Sequence, residues 1–336
     1  MTHELQSIIE QAREWQQQGH KMVLASVVAL EGSSYRKPGV RMLLNAQGQT
    51  LGAVSGGCVE KEVQRQAQSV FEDGVPKIMT YDGRLRLGCE GVLYLLLEPF
   101  EVSSELYQAF TEALVQRIPL SIQSAYQKEF GPMPEAGTTL IIADKSFPFD
   151  ARTRKTENSL CCTQSLPALL SLLIIGAEHD AVQLCKAAAQ IGWEVTVVAP
   201  PDEQKTIDFF CGAKQLITPL IDQLDPQLLD SQTAVVLMTH SYNKDVQYLT
   251  ALKNTYPAYF GLLGPQKRRE QLIDRLLEFD PEVELAFIDQ LRGPAGLNIG
   301  AASAAEIAVS ILAEILAVTR AQNPIALKDK EGAIHA

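Results

Sequence analysis

The chain has 336 residues, 46% of them apolar and 21% charged, with a formal net charge of -11. That length suits two domains better than one core, and the composition excludes a disordered chain. The acidic balance excludes the broad basic face with which nucleic-acid binders neutralise phosphate, and no apolar run is long enough to span a bilayer.

Met1–Glu10 is polar with scattered apolar positions. It reads as no secretory signal, so a cytoplasmic protein with reduced thiols is expected, without membrane or nucleic-acid partners. The six cysteines (Cys58, Cys89, Cys161, Cys162, Cys185 and Cys211) form no Cys-x-x-Cys, and the five histidines no His-x-x-x-His, so no zinc site is local in the sequence.

The first element is an amphipathic helix with Leu5, Ile8, Ile9, Ala12 and Trp15 at helical spacing, capped by Thr2 and ended by Gly19. Met22 to Leu30 reads as a buried strand. Val40–Leu44 and Thr50–Val54 read as two strands joined by a turn at Gln47-Gly48. A helix follows from Val59 to about Phe71, with Val63, Ala67 and Val70 on its apolar side. Val92–Leu97 is an apolar strand ended by Glu98-Pro99. Ser103–Val115 reads as helix, Leu120–Ala125 and Thr139–Ala143 as strands, and Phe147–Leu166 as irregular. This part mixes strands and helices without a βαβ rhythm.

After Ala168 the rhythm changes. Leu169–Ile175, Glu194–Val198, Ala234–Met238 and Ala258–Leu263 read as strands. They alternate with helices at Ala181–Ile191, Lys244–Lys253 and Pro265–Leu277. Such alternation predicts a doubly wound parallel sheet. Glu306–Val318 is an apolar closing helix, which leads to the expectation of a homodimer or larger assembly; packing on its own sheet is the plainer alternative. The fold class expected is therefore α/β: an N-terminal mixed α+β domain followed by a Rossmann-like doubly wound parallel-sheet domain. The boundaries are 1–150 for the first domain, 151–167 for a linker, 168–322 for the Rossmann-like domain and 323–336 for a tail.

The chemistry concentrates in Ser55-Gly56-Gly57-Cys58. Glycines at a strand-to-helix junction allow successive N–H groups to converge on one anion, and the helix start adds its positive end. A thiol there is more acidic and nucleophilic than a free one, and suits a soft metal beside a phosphorylated ligand. The alternative is a tight turn with a buried cysteine. Two more glycine-bracketed segments occur, Gly32–Gly39, with Arg36 and Lys37, and Leu87–Gly91, with Cys89. Arg36, Lys37 and Arg41 would add an anion contact if the fold brought them to the same end.

Leu172–Ala181 sits where a dinucleotide fingerprint belongs. Gly176 makes the tight turn, but Glu178 stands where a second glycine would admit pyrophosphate. The acid expected to hold a ribose at the end of the next strand is replaced by Ala199. A Rossmann-shaped domain that does not take NAD(P) is expected. His179 and His240 lie near strand ends and read as structural or catalytic.

Together, Gly32–Gly39, Gly52–Glu60, Leu87–Gly91, Ile191–Val198, Gly261–Gly264 and Gly296–Ala301 resemble the XdhC/CoxI family of accessory proteins for molybdenum hydroxylases. The resemblance runs from about Leu24 to Leu316, and Ser55–Glu60 is its most specific stretch. It implies a cofactor chaperone that binds molybdenum cofactor (molybdopterin) and assists its insertion into an apo molybdenum hydroxylase of the xanthine dehydrogenase type, with a cysteine desulfurase as a further candidate partner. The implied cofactor-binding residues are Ser55, Gly56, Gly57, Cys58, Glu60, Arg36, Cys89 and Gly176, with Cys58 as the metal ligand and no catalytic residue. The sequence departs from the family pattern at Glu178, Ala199, Glu90, Asn298 and Pro265. The competing reading is an NAD(P)-dependent oxidoreductase using the Rossmann-like domain.

Overall fold

A computed structural model describes residues 1–331 apart from 33–36, 56, 86–90, 151 and 153–158; the side chains of Cys58 and Leu85 also lie outside the described set. The chain divides into two compact units, residues 1–168 with 327–336, and residues 169–326.

In the first unit, α1 spans Thr2–Gln17 and buries Leu5, Ile8, Ile9, Ala12 and Trp15 along one stripe. Thr2 does not cap it. Thr2 is already helical, and its hydroxyl donates to the Pro167 carbonyl at 2.7 Å. Then follow β1 (Met22–Glu31), β2 (Arg41–Asn45), β3 (Thr50–Gly52), α2 (Cys58–Asp73), β4 (Lys77–Asp82) and β5 (Val92–Pro99). The unit continues with α3 (Ser104–Val115), β6 (Leu120–Tyr126), β7 (Gly131–Pro132), β8 (Gly137–Ile142), β9 (Lys145–Pro148) and β10 (Leu160–Leu166). The stretch expected to be irregular, and placed largely in a linker, therefore contains the end of β9 and all of β10. Pairing with β8 and β6 satisfies their backbone groups.

One sheet of this unit has the order β3-β2-β1-β5-β4-β7, and the other β10-β6-β8-β9. The first carries α2 on one face, where Val59, Val63, Ala67 and Val70 meet Val23, Ala25, Val27, Met42 and Leu44. Its other face meets α1, α3 and the second sheet through Leu24, Leu43, Phe110, Ile122 and Leu140. The sequence pattern ends β5 before Glu98; in the structure Glu98 lies within the strand, fully buried, because its oxygens accept hydrogen bonds from Thr138.

The second unit holds β11 (Ser171–Ile175), α4 (His179–Gln190), β12 (Glu194–Val198), β13 (Ala213–Ile217), β14 (Thr233–Leu237) and α5 (Tyr242–Leu252). After these come β15 (Tyr259–Leu262), α6 (Gln266–Phe279), α7 (Leu285–Gln290), β16 (Leu291–Arg292) and α8 (Ala304–Thr319). Its sheet has the order β13-β12-β11-β14-β15-β16 with every pair parallel. That is the doubly wound order with its switch point between β11 and β14. Leu172 and Ile174 face α4 and α8, while Leu173 and Ile175 face α5, α6 and α7. The apolar side of α8 (Ala308, Ile311, Leu312 and Ile315) packs inside this unit, so its apolar length does not argue for an assembly.

Candidate functional site

Strand register in the first unit decides what comes together. Gly52 on β3 lies opposite Met42, so β3 leaves the sheet at the end where β2 begins. Glu31 and Asp82 both lie opposite Val92, so β1 and β4 finish, and β5 starts, toward that same end. Gly83 donates its amide hydrogen to the Gly91 carbonyl at 3.0 Å, closing the β4–β5 connection. The described flanks of all three glycine-bracketed segments thus emerge at one end of one sheet. Arg36, Gly56 and Cys89 themselves lie outside the described residues.

Cys58 is the first residue of α2. Gly57 before it has φ +119, a backbone conformation that side-chain-bearing residues rarely adopt, and an added Cβ there would meet nothing within 4 Å. The glycine is needed for its conformation rather than for crowding.

The Ser55 and Gly57 amides do not point at an empty anion site. The Glu60 carboxylate accepts hydrogen bonds from the Ser55 amide at 2.6 Å, the Ser55 hydroxyl at 3.0 Å and the Gly57 amide at 2.7 Å. Burial pushes this carboxyl up, but the hydrogen bonds from the Glu60, Ser55 and Gly57 backbone and the Ser55 hydroxyl hold it below the usual range. The expectation that these N–H groups converge on a ligand phosphate is therefore corrected for Ser55 and Gly57: an internal carboxylate, the third residue of the helix, already takes them. The acidic residue three positions after Gly57 was the available signal.

Arg41 is corrected as well. Met42 and Leu44 face α2, so by strand alternation Arg41 points to the opposite face. There its Nη1 donates to the Gly39 carbonyl at 2.8 Å and to Gln164 Oε1 at 2.6 Å. Burial pushes its guanidinium down to about 10, against the pull of Glu98, Cys162 and Glu4. It adds no anion contact at the start of α2.

Gly176 lies in the second unit, at the end of β11. Its φ is +139, and an added Cβ would sit 2.3 Å from the Met238 carbonyl oxygen. It is glycine because β11 and β14 leave the sheet in contact there. Glu178 is the exposed N-cap of α4. Across the switch point His240 Nε2 stands 3.2 Å from Asp180 Oδ2, and His240 holds a left-handed φ of 56. Sequence reasoning missed this pair, whose members lie far apart along the chain. Ala199 is buried at the end of β12 and offers no group to a ribose. Among the described residues, no group of three or more His, Cys, Asp or Glu is placed to hold a metal ion, and no helix is long and apolar enough to cross a membrane.

Comparison with known proteins adds to this geometry. A family model described as the XdhC and CoxI family matches residues 15–82, and one described as the XdhC Rossmann domain matches residues 172–315. A Bacillus subtilis protein, named as a probable subunit of xanthine dehydrogenase, is 29% identical over 314 residues, 88% of this chain and 92% of the relative. The Escherichia coli molybdenum cofactor insertion chaperone PaoD is 25% identical over 323 residues, 95% of this chain and 90% of PaoD. A crystal structure described as a xanthine dehydrogenase from Bacillus halodurans superposes with a TM-score of 0.76 at 27% identity, covering 94% of this chain and 96% of that one.

Proposed function

Because the chain belongs to the XdhC and CoxI family, we propose that it is a cytoplasmic accessory protein that binds molybdenum cofactor and assists its insertion into an apo molybdenum hydroxylase of the xanthine dehydrogenase type. Two relatives support this, one named as a molybdenum cofactor insertion chaperone and one as a probable subunit of xanthine dehydrogenase.

The observation that carries the reading is the convergence of the three segment flanks at one end of the sheet, with Cys58 as the first residue of α2. A thiol at a helix start is stabilised as thiolate, and thiolate is a good ligand for a soft metal. The cofactor, when bound, supplies that metal. The thiol chemistry of the site therefore fits the cofactor, whereas the Ser55 and Gly57 amides, spent on Glu60, do not serve its phosphate. In this account Cys58 holds the cofactor, and Arg36 and Cys89 contribute from the neighbouring segments. The test is expression in a host that makes molybdenum cofactor, with the released pterin measured by fluorescence. Cys58→Ala should lose the pterin and keep the fold; Cys89→Ala should lose less.

A further inference from the structure

The turn that delivers Cys58 contains two consecutive glycines, the residue type that loses most conformational freedom on folding. Its N-cap, Gly57, has no side chain with which to anchor the first turn of α2. Glu60 supplies that anchor. Its two oxygens take the Ser55 amide (2.6 Å), the Ser55 hydroxyl (3.0 Å) and the Gly57 amide (2.7 Å), pinning the backbone on both sides of residue 56.

The same chain contains a comparison. At α8, Glu306 accepts from the amides of Ala302 (2.9 Å) and Ser303 (2.8 Å). There the Ser303 hydroxyl also accepts from the Glu306 amide, at 3.3 Å. Losing the Glu306 carboxylate leaves α8 with a side-chain cap. Losing that of Glu60 leaves the Ser55–Gly57 turn without its side-chain anchor.

We propose that Glu60 is a positioning residue: it does not contact the cofactor, but is a clamp that ties Ser55 to Gly57 and so fixes the point in the backbone at which Cys58 begins α2. The proposal rests on the reading of Cys58 given above. It replaces the expectation that Glu60 is itself a cofactor contact, because both its oxygens are already engaged by the turn.

The test compares Glu60→Gln, Ser55→Ala, Glu306→Gln and Cys58→Ala, each purified from a host producing molybdenum cofactor. Retained pterin, far-UV circular dichroism and the rate of Cys58 alkylation by iodoacetamide at one fixed pH are measured. Glu60→Gln should lose about tenfold or more of the retained pterin, the usual scale for removing a group that orients a metal ligand, with its helix content kept. Its Cys58 alkylation rate should change severalfold. Ser55→Ala, which deletes one of the three bonds, should shift both readouts the same way by less. Glu306→Gln should match the parent in both. Parental pterin in Glu60→Gln beside a depleted Cys58→Ala overturns the clamp and leaves the Cys58 reading standing. More pterin than the parent also overturns it, since the carboxylate would then merely be blocking donors that the ligand uses. Parental pterin in Cys58→Ala overturns both. If Glu60→Gln loses helix content, the decision falls to Ser55→Ala, whose parental behaviour in both readouts overturns the clamp.

Discussion

Glu98 on β5 accepts both the backbone amide hydrogen of Thr138 on β8, at 2.7 Å, and that residue's hydroxyl hydrogen, at 2.5 Å, with no exposure to solvent. Burial pushes its carboxyl up to about 7, against the Thr138 hydrogen bonds and the Arg41 charge. The folded state therefore binds this proton more tightly than the unfolded chain does. The stability it contributes is present below the unfolded value of 4.5 and is lost as pH rises from there through about 7. The full swing is on the order of 3 kcal/mol. Urea unfolding of the first unit, followed by Trp15 fluorescence in a Trp193→Phe background, should show Glu98→Gln gaining on the parent between pH 5 and 7.5. Parallel pH profiles for the two proteins would contradict it.

Gly176→Ala should destabilise the second unit strongly. The added Cβ meets the Met238 carbonyl oxygen at 2.3 Å, at a φ of +139. Strain and overpacking together cost roughly 2–5 kcal/mol. Gly300→Ala is the control: its φ of +75 is also left-handed, but an added Cβ meets nothing within 4 Å, so only ~1–2 kcal/mol is expected. Trp193 fluorescence in a Trp15→Phe background measures both. Equal effects would show that the close approach of β11 and β14 is not tight.

NAD(H) and NADP(H) should bind weakly. Glu178 places an exposed carboxylate at the start of α4, Asp180 and His240 bridge the switch point, and Ala199 gives a ribose no partner. Titration calorimetry should detect nothing as tight as micromolar, an affinity of about 8 kcal/mol, and Glu178→Gly should improve on the parent. Micromolar binding by the parent would restore the oxidoreductase alternative.

The second unit was the more legible in sequence because its central strands are buried on both faces and read as unbroken apolar runs. The expected β12 matches the observed Glu194–Val198, and β11, β14 and β15 lie within two residues of expectation. The strands that escaped notice are of another kind. Two of them, β10 and β13, are sheet edges with mostly exposed or half-exposed side chains, so no hydrophobic pattern marks them, and a third, β4, lies inside its sheet but buries only Ile78 and Met79 of its six residues, too short an apolar run to stand out. At the site, the Ser55–Cys58 turn was readable as a motif. The role of Glu60 was not, because a carboxylate beside a glycine loop reads equally as a ligand contact or as a cap, and only distances separate the two. Arg41 was readable in principle: the alternation of Met42 and Leu44 puts it on the face away from α2. The Asp180–His240 contact was not, since the doubly wound topology alone brings those residues together.

The central claim is that Cys58 holds molybdenum cofactor. Molybdenum and pterin per mole of protein, measured on parent and Cys58→Ala chains purified side by side from a cofactor-producing host, test it most directly. Substitutions at Cys161 and Cys211, the exposed thiols among the described residues, serve as controls. The account predicts that the parent and both controls carry molybdenum and pterin in equal proportion and that Cys58→Ala carries neither while keeping the parental circular dichroism spectrum. A folded Cys58→Ala protein with the parental content of both would contradict it.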